Sequence, residues 1–195
     1  MRHALLAMAG IALGVAAASQ PASAQSNWWS DPLNSREIQY LDDYRPQASP
    51  IPRQRVEISE QFGPGTIVIS TSARRLYYVT RPGEAIEYGI GVGRPGFEWT
   101  GTKRVTAKRE WPSWTPPAEM LRRRPDLPRY MSGGPDNPLG ARALYLGSSL
   151  YRIHGSNEPE TIGQAVSSGC IRMTNADVID LYSRVKVGAK VVVLN

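Results

Sequence analysis

From Gln61 to Asn195 the chain is a succession of short β-type runs, each closed by turn residues, and that punctuation limits what it can fold into. Residues 66–70 (TIVIS) and 75–80 (RLYYVT) are rich in β-branched and aromatic side chains, with Ser72-Ala73-Arg74 as a turn between them. Arg81-Pro82-Gly83-Glu84 puts Pro and Gly at the centre of a turn, joining the second run to residues 85–92 as a hairpin. Residues 101–108 alternate well enough for another strand. Residues 143–147 and 149–153 form two more around a Gly-Ser-Ser turn, and residues 190–194 end the fold. Helical signal is confined to two places. Residues 117–123 read as a short helix inside a long insertion. Val178, Leu181, Tyr182 and Val185 recur at helical spacing after Thr174-Asn175-Ala176-Asp177, a capping-box-like start. The fold class is therefore mainly β. A single cysteine, Cys170, excludes an internal disulfide, so burial alone must hold the core; a domain of roughly 130 residues is large enough for that.

Three segments precede or make up this organisation. Residues 1–24 read as a secretory signal: Arg2 and His3 open it, residues 4–18 are an apolar run shorter than a bilayer span, and Ala22-Ser23-Ala24 is a small-residue cleavage site. Cleavage would leave Gln25 as the mature N-terminus; an uncleaved anchor is the competing reading. Residues 25–60 are expected to be a linker, since four arginines against six acids leave a net charge of −2 and Pro46, Pro50 and Pro52 break any long helix. Trp28 and Trp29 there are either a small docking element or rings resting on the domain surface. Residues 61–195 are the expected catalytic domain.

That domain is basic, with 18 Lys and Arg against 11 Asp and Glu, a net of +7. Lys103, Arg104, Lys108, Arg109, Arg122, Arg123, Arg124 and Arg129 concentrate near the Pro- and Gly-rich insertion between Trp111 and Gly140. No nucleic-acid-binding motif accompanies them, and an exported chain meets little nucleic acid, so that class of partner is set aside. A basic groove would concentrate an anionic substrate, although the Arg122–Arg124 run reads as a solvated surface. A loop as long as the insertion is usually functional. It is expected to wall a groove through Trp111, Trp114 and Tyr130; the competing reading has both Trp rings packing the loop onto the sheet.

Cys170 has one plausible chemical partner. The other histidine, His3, lies in the expected signal, which leaves His154 sixteen positions upstream. A thiol needs a base to become a thiolate near neutral pH, and imidazole suits that task. A free cysteine taken alone is more often a small buried hydrophobe. Here, however, Gly155 follows the histidine and Gly169 precedes the cysteine, so backbone can pass close to a ligand at both places. His154 is expected at a strand end and Cys170 on a loop entering a helix, whose N-terminus favours a thiolate. One Cys and one His fall short of a zinc ligand set, so no metal or cofactor is expected.

The stretch His154-Gly155 … Ser167-Ser168-Gly169-Cys170-Ile171-Arg172 resembles the active-site signature of the L,D-transpeptidases, the YkuD-type catalytic domain. The resemblance extends from about Gly65 to Leu194. It takes in Arg75-Leu-Tyr-Tyr78, Gly89-Ile-Gly-Val-Gly93, Trp111-Pro-Ser-Trp-Thr-Pro-Pro117 and Gly134-Pro-Asp-Asn-Pro-Leu-Gly140. One departure stands out: many members carry His immediately before the Gly-Cys pair, where this chain has Ser168.

The resemblance implies a YkuD-type β-sandwich with a short helix after the cysteine loop. It implies Cys170 as nucleophile and His154 as general base and acid, with backbone N–H groups at Gly169 and Cys170 holding the oxyanion. A third group would orient the imidazole: the Gly155 carbonyl, Ser156 or Ser168. Arg172 is expected to dock a substrate carboxylate, against the alternative of a structural ion pair. The implied substrates are peptidoglycan stem peptides in the periplasm or cell envelope. The implied outcome is either 3→3 cross-linking or attachment of an outer-membrane protein, with carbapenem-type β-lactams as inhibitors. Hydrolysis on the same scaffold and non-catalytic wall binding are the alternatives.

Overall fold

The computed structural model describes residues 49–195. The expected signal, Trp28, Trp29 and most of the expected linker lie outside the described residues. In chain order the elements are β1 (Gln54–Glu57), β2 (Ile67–Ser70), β3 (Arg75–Arg81), β4 (Glu84–Gly89), β5 (Val92–Gly93), β6 (Gly101–Glu110), α1 (Ala118–Arg123), β7 (Arg142–Leu146), β8 (Arg152–His154), β9 (Ala165–Ser167), β10 (Ile171–Arg172), α2 (Asn175–Arg184) and β11 (Lys190–Leu194). The mainly β expectation holds.

Nine strands form one ladder in the order β1-β4-β3-β2-β11-β6-β7-β8-β10, and β5 pairs separately with β9. The joint is β6. Its first residues pair with β11 and its later ones with β7, and the register slips between Val105 and Ala107. An irregularity of that kind bends a strand. The two halves of the ladder consequently share one core: Ile67, Ile69 and Leu76 from the first, Leu144, Leu146 and Ile153 from the second, and Val178, Leu181 and Val185 at α2.

α2 is held at both ends. At its start the Thr174 hydroxyl accepts the Asp177 N–H at 3.2 Å. At its end Lys108 reaches over from β6 and donates to the carbonyls of Tyr182 at 2.6 Å and Val185 at 2.8 Å. A cation suits the orphan carbonyls and the dipole there, and burial pushes the Lys108 pKa below its ordinary value. Along its length Tyr88 of β4 donates to Asp180 at 2.6 Å and Tyr78 of β3 to the Arg184 carbonyl at 3.1 Å. The helix is thus bolted to both halves.

The 81–84 turn forms as expected, with Gly83 at φ 78°. The run 149–153 yields a strand only from Arg152, because Ser149 donates to the Leu146 carbonyl and the turn extends to Tyr151. The stretch expected to be a linker ends inside the domain. Its β1 pairs antiparallel with β4, Ile51 packs against Gly89, and Arg53 lies 3.1 Å from Asp180. β1 escaped notice because an edge strand reading Gln-Arg-Val-Glu has a single apolar residue and no readable alternation.

Candidate active site

His154 ends β8 and is 4% exposed. Its Nδ1 lies 2.6 Å from the carbonyl oxygen of Gly155. A carbonyl only accepts, so Nδ1 carries the ring proton and Nε2 is left with its lone pair. Of the three groups expected to orient the ring, the Gly155 carbonyl occupies that place. Ser156 Oγ instead accepts the Glu158 N–H at 2.9 Å. Burial pushes the imidazole pKa down to about 3, opposed by the Gly155 bond and reinforced by the charges of Arg172 and Arg152. At neutral pH the ring is an uncharged base.

Cys170 sits between β9 and β10. β10 runs parallel to β8 with Ile171 opposite Ile153 and Arg172 opposite His154, and the Met173 N–H continues the ladder to the His154 carbonyl at 2.9 Å. One step back, Cys170 is level with Arg152, and His154 shares Arg152's face of β8. His154 thus ends a strand paired with the one that begins directly after Cys170. Cys170 Sγ is 3.6 Å from the Leu150 carbonyl. Burial raises the thiol pKa, while the Arg152 backbone and the charges of Arg152 and Arg172 pull it back. The helix after the cysteine starts at Asn175, next to its expected cap Thr174, and the residues between it and Cys170 include the short strand β10. A dipole fades within a turn, so the charges that act on the thiol come from arginines.

The cysteine loop is clamped from one side. Gly169 has φ 100°, and a Cβ there would meet the Tyr151 ring at 2.7 Å and the Phe97 carbonyl at 3.1 Å, so only glycine fits. Ser167 Oγ accepts the Gly169 N–H at 3.1 Å and donates to the Cys170 carbonyl at 2.6 Å, which gives Ser167 the bracing role within the loop rather than Ser168. Trp99 Nε1 donates to the Gly169 carbonyl at 2.8 Å. Its ring stacks on Tyr151, centroids 4.5 Å apart and planes 8° apart, with Lys103 above both rings. In a trans peptide the N–H points opposite to the C=O, so the Cys170 N–H faces away from Trp99. That fixed amide is the donor an oxyanion at the cysteine needs.

A second clamp fixes the histidine. Asn175, the first residue of α2, accepts the Ala141 N–H at 2.8 Å through Oδ1 and donates to the Ser156 carbonyl at 3.0 Å through Nδ2. Its Oδ1 fills the place a side chain at Gly155 would need. Gly155 therefore lets a buried amide grip the backbone just past His154.

The remaining expected residues lie elsewhere or are otherwise engaged. Arg172 donates to Glu158 at 2.8 Å and to Thr161 at 3.4 Å, the ion pair weighed as its alternative. Trp114 is 9% exposed and exchanges backbone bonds with Met131, both 2.8 Å, which fits packing of the insertion better than a groove contact. The Trp111 N–H binds the Ala141 carbonyl at 2.8 Å and anchors the insertion's start, while Tyr130 is 61% exposed. Of the basic cluster, Lys108 is engaged by α2 and Arg104 by the Gly188 carbonyl. Sequence reasoning missed Trp99, Tyr151, Asn175 and Arg152. The first three act through long-range contacts that no local pattern marks; Arg152, two before His154 on a strand, carried the one available signal, period-two alternation.

Comparison with known proteins agrees with this geometry. Residues 64–193 match the family model described as the L,D-transpeptidase catalytic domain, YkuD. A probable L,D-transpeptidase ErfK/SrfK of Escherichia coli K12 is 40% identical over 138 residues, 66% of this chain and 44% of that protein. The chain spans about half the length of the curated relatives it matches. A Brucella melitensis structure described as a probable carnitine operon oxidoreductase CaiA is 46% identical, covers 74% of this chain and 94% of that one, and has a TM-score of 0.51. Its description differs from those of the family model and the curated relative. The catalytic domain of an E. faecium L,D-transpeptidase acylated by ertapenem shares the fold at 19% identity and TM-score 0.53, covering 68% of this chain and 98% of that one. With His154 ending β8, Cys170 directly preceding the strand paired with it, and both inside the matched region, the chain belongs to the L,D-transpeptidase catalytic-domain (YkuD) family.

Proposed function

We propose that this chain is a cysteine acyltransferase acting on peptidoglycan tetrapeptide stems. The observation that carries the reading is an uncharged imidazole, proton fixed on Nδ1, on the strand paired with the one leading out of Cys170. His154 Nε2 takes the thiol proton as Sγ attacks the carbonyl carbon of the third stem residue. The forming thiolate raises the imidazole's proton affinity, since the two titrations are coupled. The oxyanion is held by the Cys170 N–H. The bond from that carbonyl to the terminal D-alanine nitrogen breaks, the proton on Nε2 passes to the leaving amine, and a thioester remains. An acceptor amine then attacks the thioester, gives its proton to Nε2, and the thiolate leaves and is reprotonated. With a third-position amine as acceptor the product is a 3→3 cross-link; an amine on an outer-membrane protein would give attachment instead. The chain would work after export to the periplasm, and carbapenems would acylate Cys170, as ertapenem does the E. faecium relative.

The test is a mass-spectrometric product assay with purified disaccharide-tetrapeptide, the wild-type protein and Cys170→Ala. A dimer joined through third-position residues, one D-alanine lighter and absent with Cys170→Ala, is the expected result. Tripeptide alone, even with an added acceptor peptide, would make the protein a hydrolase. Full activity in Cys170→Ala would end the nucleophile assignment.

A further inference from the structure

Among the described residues Arg152 is a cation that no carboxylate neutralises, set beside the Cys170 thiol whose pKa its charge lowers. It lies on the same face of β8 as His154 and level with Cys170, flanked by the Tyr145 ring with the guanidinium carbon 5.3 Å from the ring centroid. Its Nε is buried and makes no hydrogen bond. Among the described residues no carboxylate pairs with it, whereas Arg172, Arg142 and Arg184 pair with Glu158, Glu110 and Asp180. A buried guanidinium nitrogen without a partner costs free energy, and a cation beside the thiol with no carboxylate on it has donors left for an anionic ligand. Its planar fork fits a carboxylate with two parallel bonds. Arg172, the residue expected from sequence to do this, is already engaged by Glu158.

We propose that Arg152 is the docking group for a carboxylate carried by the acyl donor next to the bond that Cys170 breaks. If the donor is a tetrapeptide stem, as proposed above, that group is the free carboxylate of the leaving terminal residue, one residue beyond the scissile carbonyl. Arg152 then selects donors ending in a free carboxylate and holds the leaving residue while His154 protonates its amine.

The first arm of the test does not depend on the stem-peptide reading. Cys170 alkylation rates are measured with iodoacetate and with its neutral counterpart iodoacetamide, in the wild-type protein, Arg152→Gln and Arg152→Lys. The expected result is an iodoacetate-to-iodoacetamide ratio that drops about tenfold in Arg152→Gln and is partly kept in Arg152→Lys. Both reagents need the same thiolate, so the rise in thiol pKa that follows loss of the Arg152 charge slows the two rates alike and leaves the ratio untouched. Both rates falling together with the ratio unchanged would confine Arg152 to the thiolate and overturn the proposal. In the second arm, Arg152→Gln should raise KM about tenfold for a tetrapeptide with a free terminal carboxylate and leave the terminal carboxamide analogue unaffected. An equal KM rise for both peptides would overturn it too. A lost iodoacetate preference in a protein whose wild type turns over no stem peptide would sustain anion docking and count against the activity proposed above.

Discussion

The indole N–H of Trp99 holds the carbonyl of Gly169 at 2.8 Å, and through the planar peptide it decides which way the Cys170 amide faces. In the proposed mechanism Trp99 thus aims the oxyanion donor through the Gly169 carbonyl. Trp99→Phe keeps the ring on Tyr151 and removes only the donor. It is expected to lower kcat by about 10–100-fold with little change in KM, because a misaimed oxyanion donor costs transition-state binding. Steady-state kinetics of acyl transfer read this out. A change in KM alone would show that Trp99 serves the groove instead.

His154 should make stability depend on pH. Its folded pKa of about 3 lies below the ordinary 6.5, so between those values the unfolded chain binds a proton that the folded protein refuses. Stability contributed by the neutral ring is complete above pH 6.5 and is lost as pH falls through that window, about 3 kcal/mol by pH of about 4. Asp177, pushed up by burial, opposes this only at the acid end. Urea titrations from about pH 4 to 7 should show the slope in the wild-type protein and its loss in His154→Gln.

Gly155 and Asn175 should be energetically coupled. Gly155→Ala drives a methyl group into Asn175 Oδ1 and is expected to cost about 2–3 kcal/mol. Asn175→Ala strands the Ala141 N–H and the Ser156 carbonyl, at a similar cost. The double variant removes the worst clash and keeps the tight contacts at Ala141 N and Gly140 Cα, so its cost should fall short of the sum by about 1 kcal/mol. Additive costs in urea unfolding would contradict the shared site.

Lys108→Met keeps the chain's apolar stem and removes the ammonium that holds the Tyr182 and Val185 carbonyls. A loss of about 1–2 kcal/mol is expected. Because the contact is hydrogen-bonded and partly shielded, that loss should change little between low and high salt. A loss that disappears in high salt would mark Lys108 as a simple surface charge.

Strand content was legible wherever a run had several β-branched or aromatic residues, as at Ile67–Ser70 and Lys190–Leu194. It was illegible where strands are two or three residues long or lie at an edge. β1, β5, β9 and β10 exist because neighbours pair with them, and Ala-Val-Ser or Ile-Arg carries no periodicity to read. The turn at Gly83 and the start of α2 were legible because turns and caps are local chemistry, set by residues two or three apart.

By itself the sequence determined the mainly β class and the absence of an internal disulfide, and it singled out Cys170 and His154 as the candidate thiol and base, since composition and short-range spacing specify these. Only the tertiary structure decided how that pair is served. Parallel pairing of β8 with β10 sets Cys170, directly before β10, beside the strand that His154 ends. Trp99, 70 residues before Gly169, reaches its carbonyl. Asn175, 34 residues after Ala141, ties α2 to the backbone beyond His154. Arg172 pairs with Glu158 while Arg152 stays without an acid. Each of these depends on which distant atoms meet, and the Asn175 bonds, which are buried, gain strength because water is excluded from them.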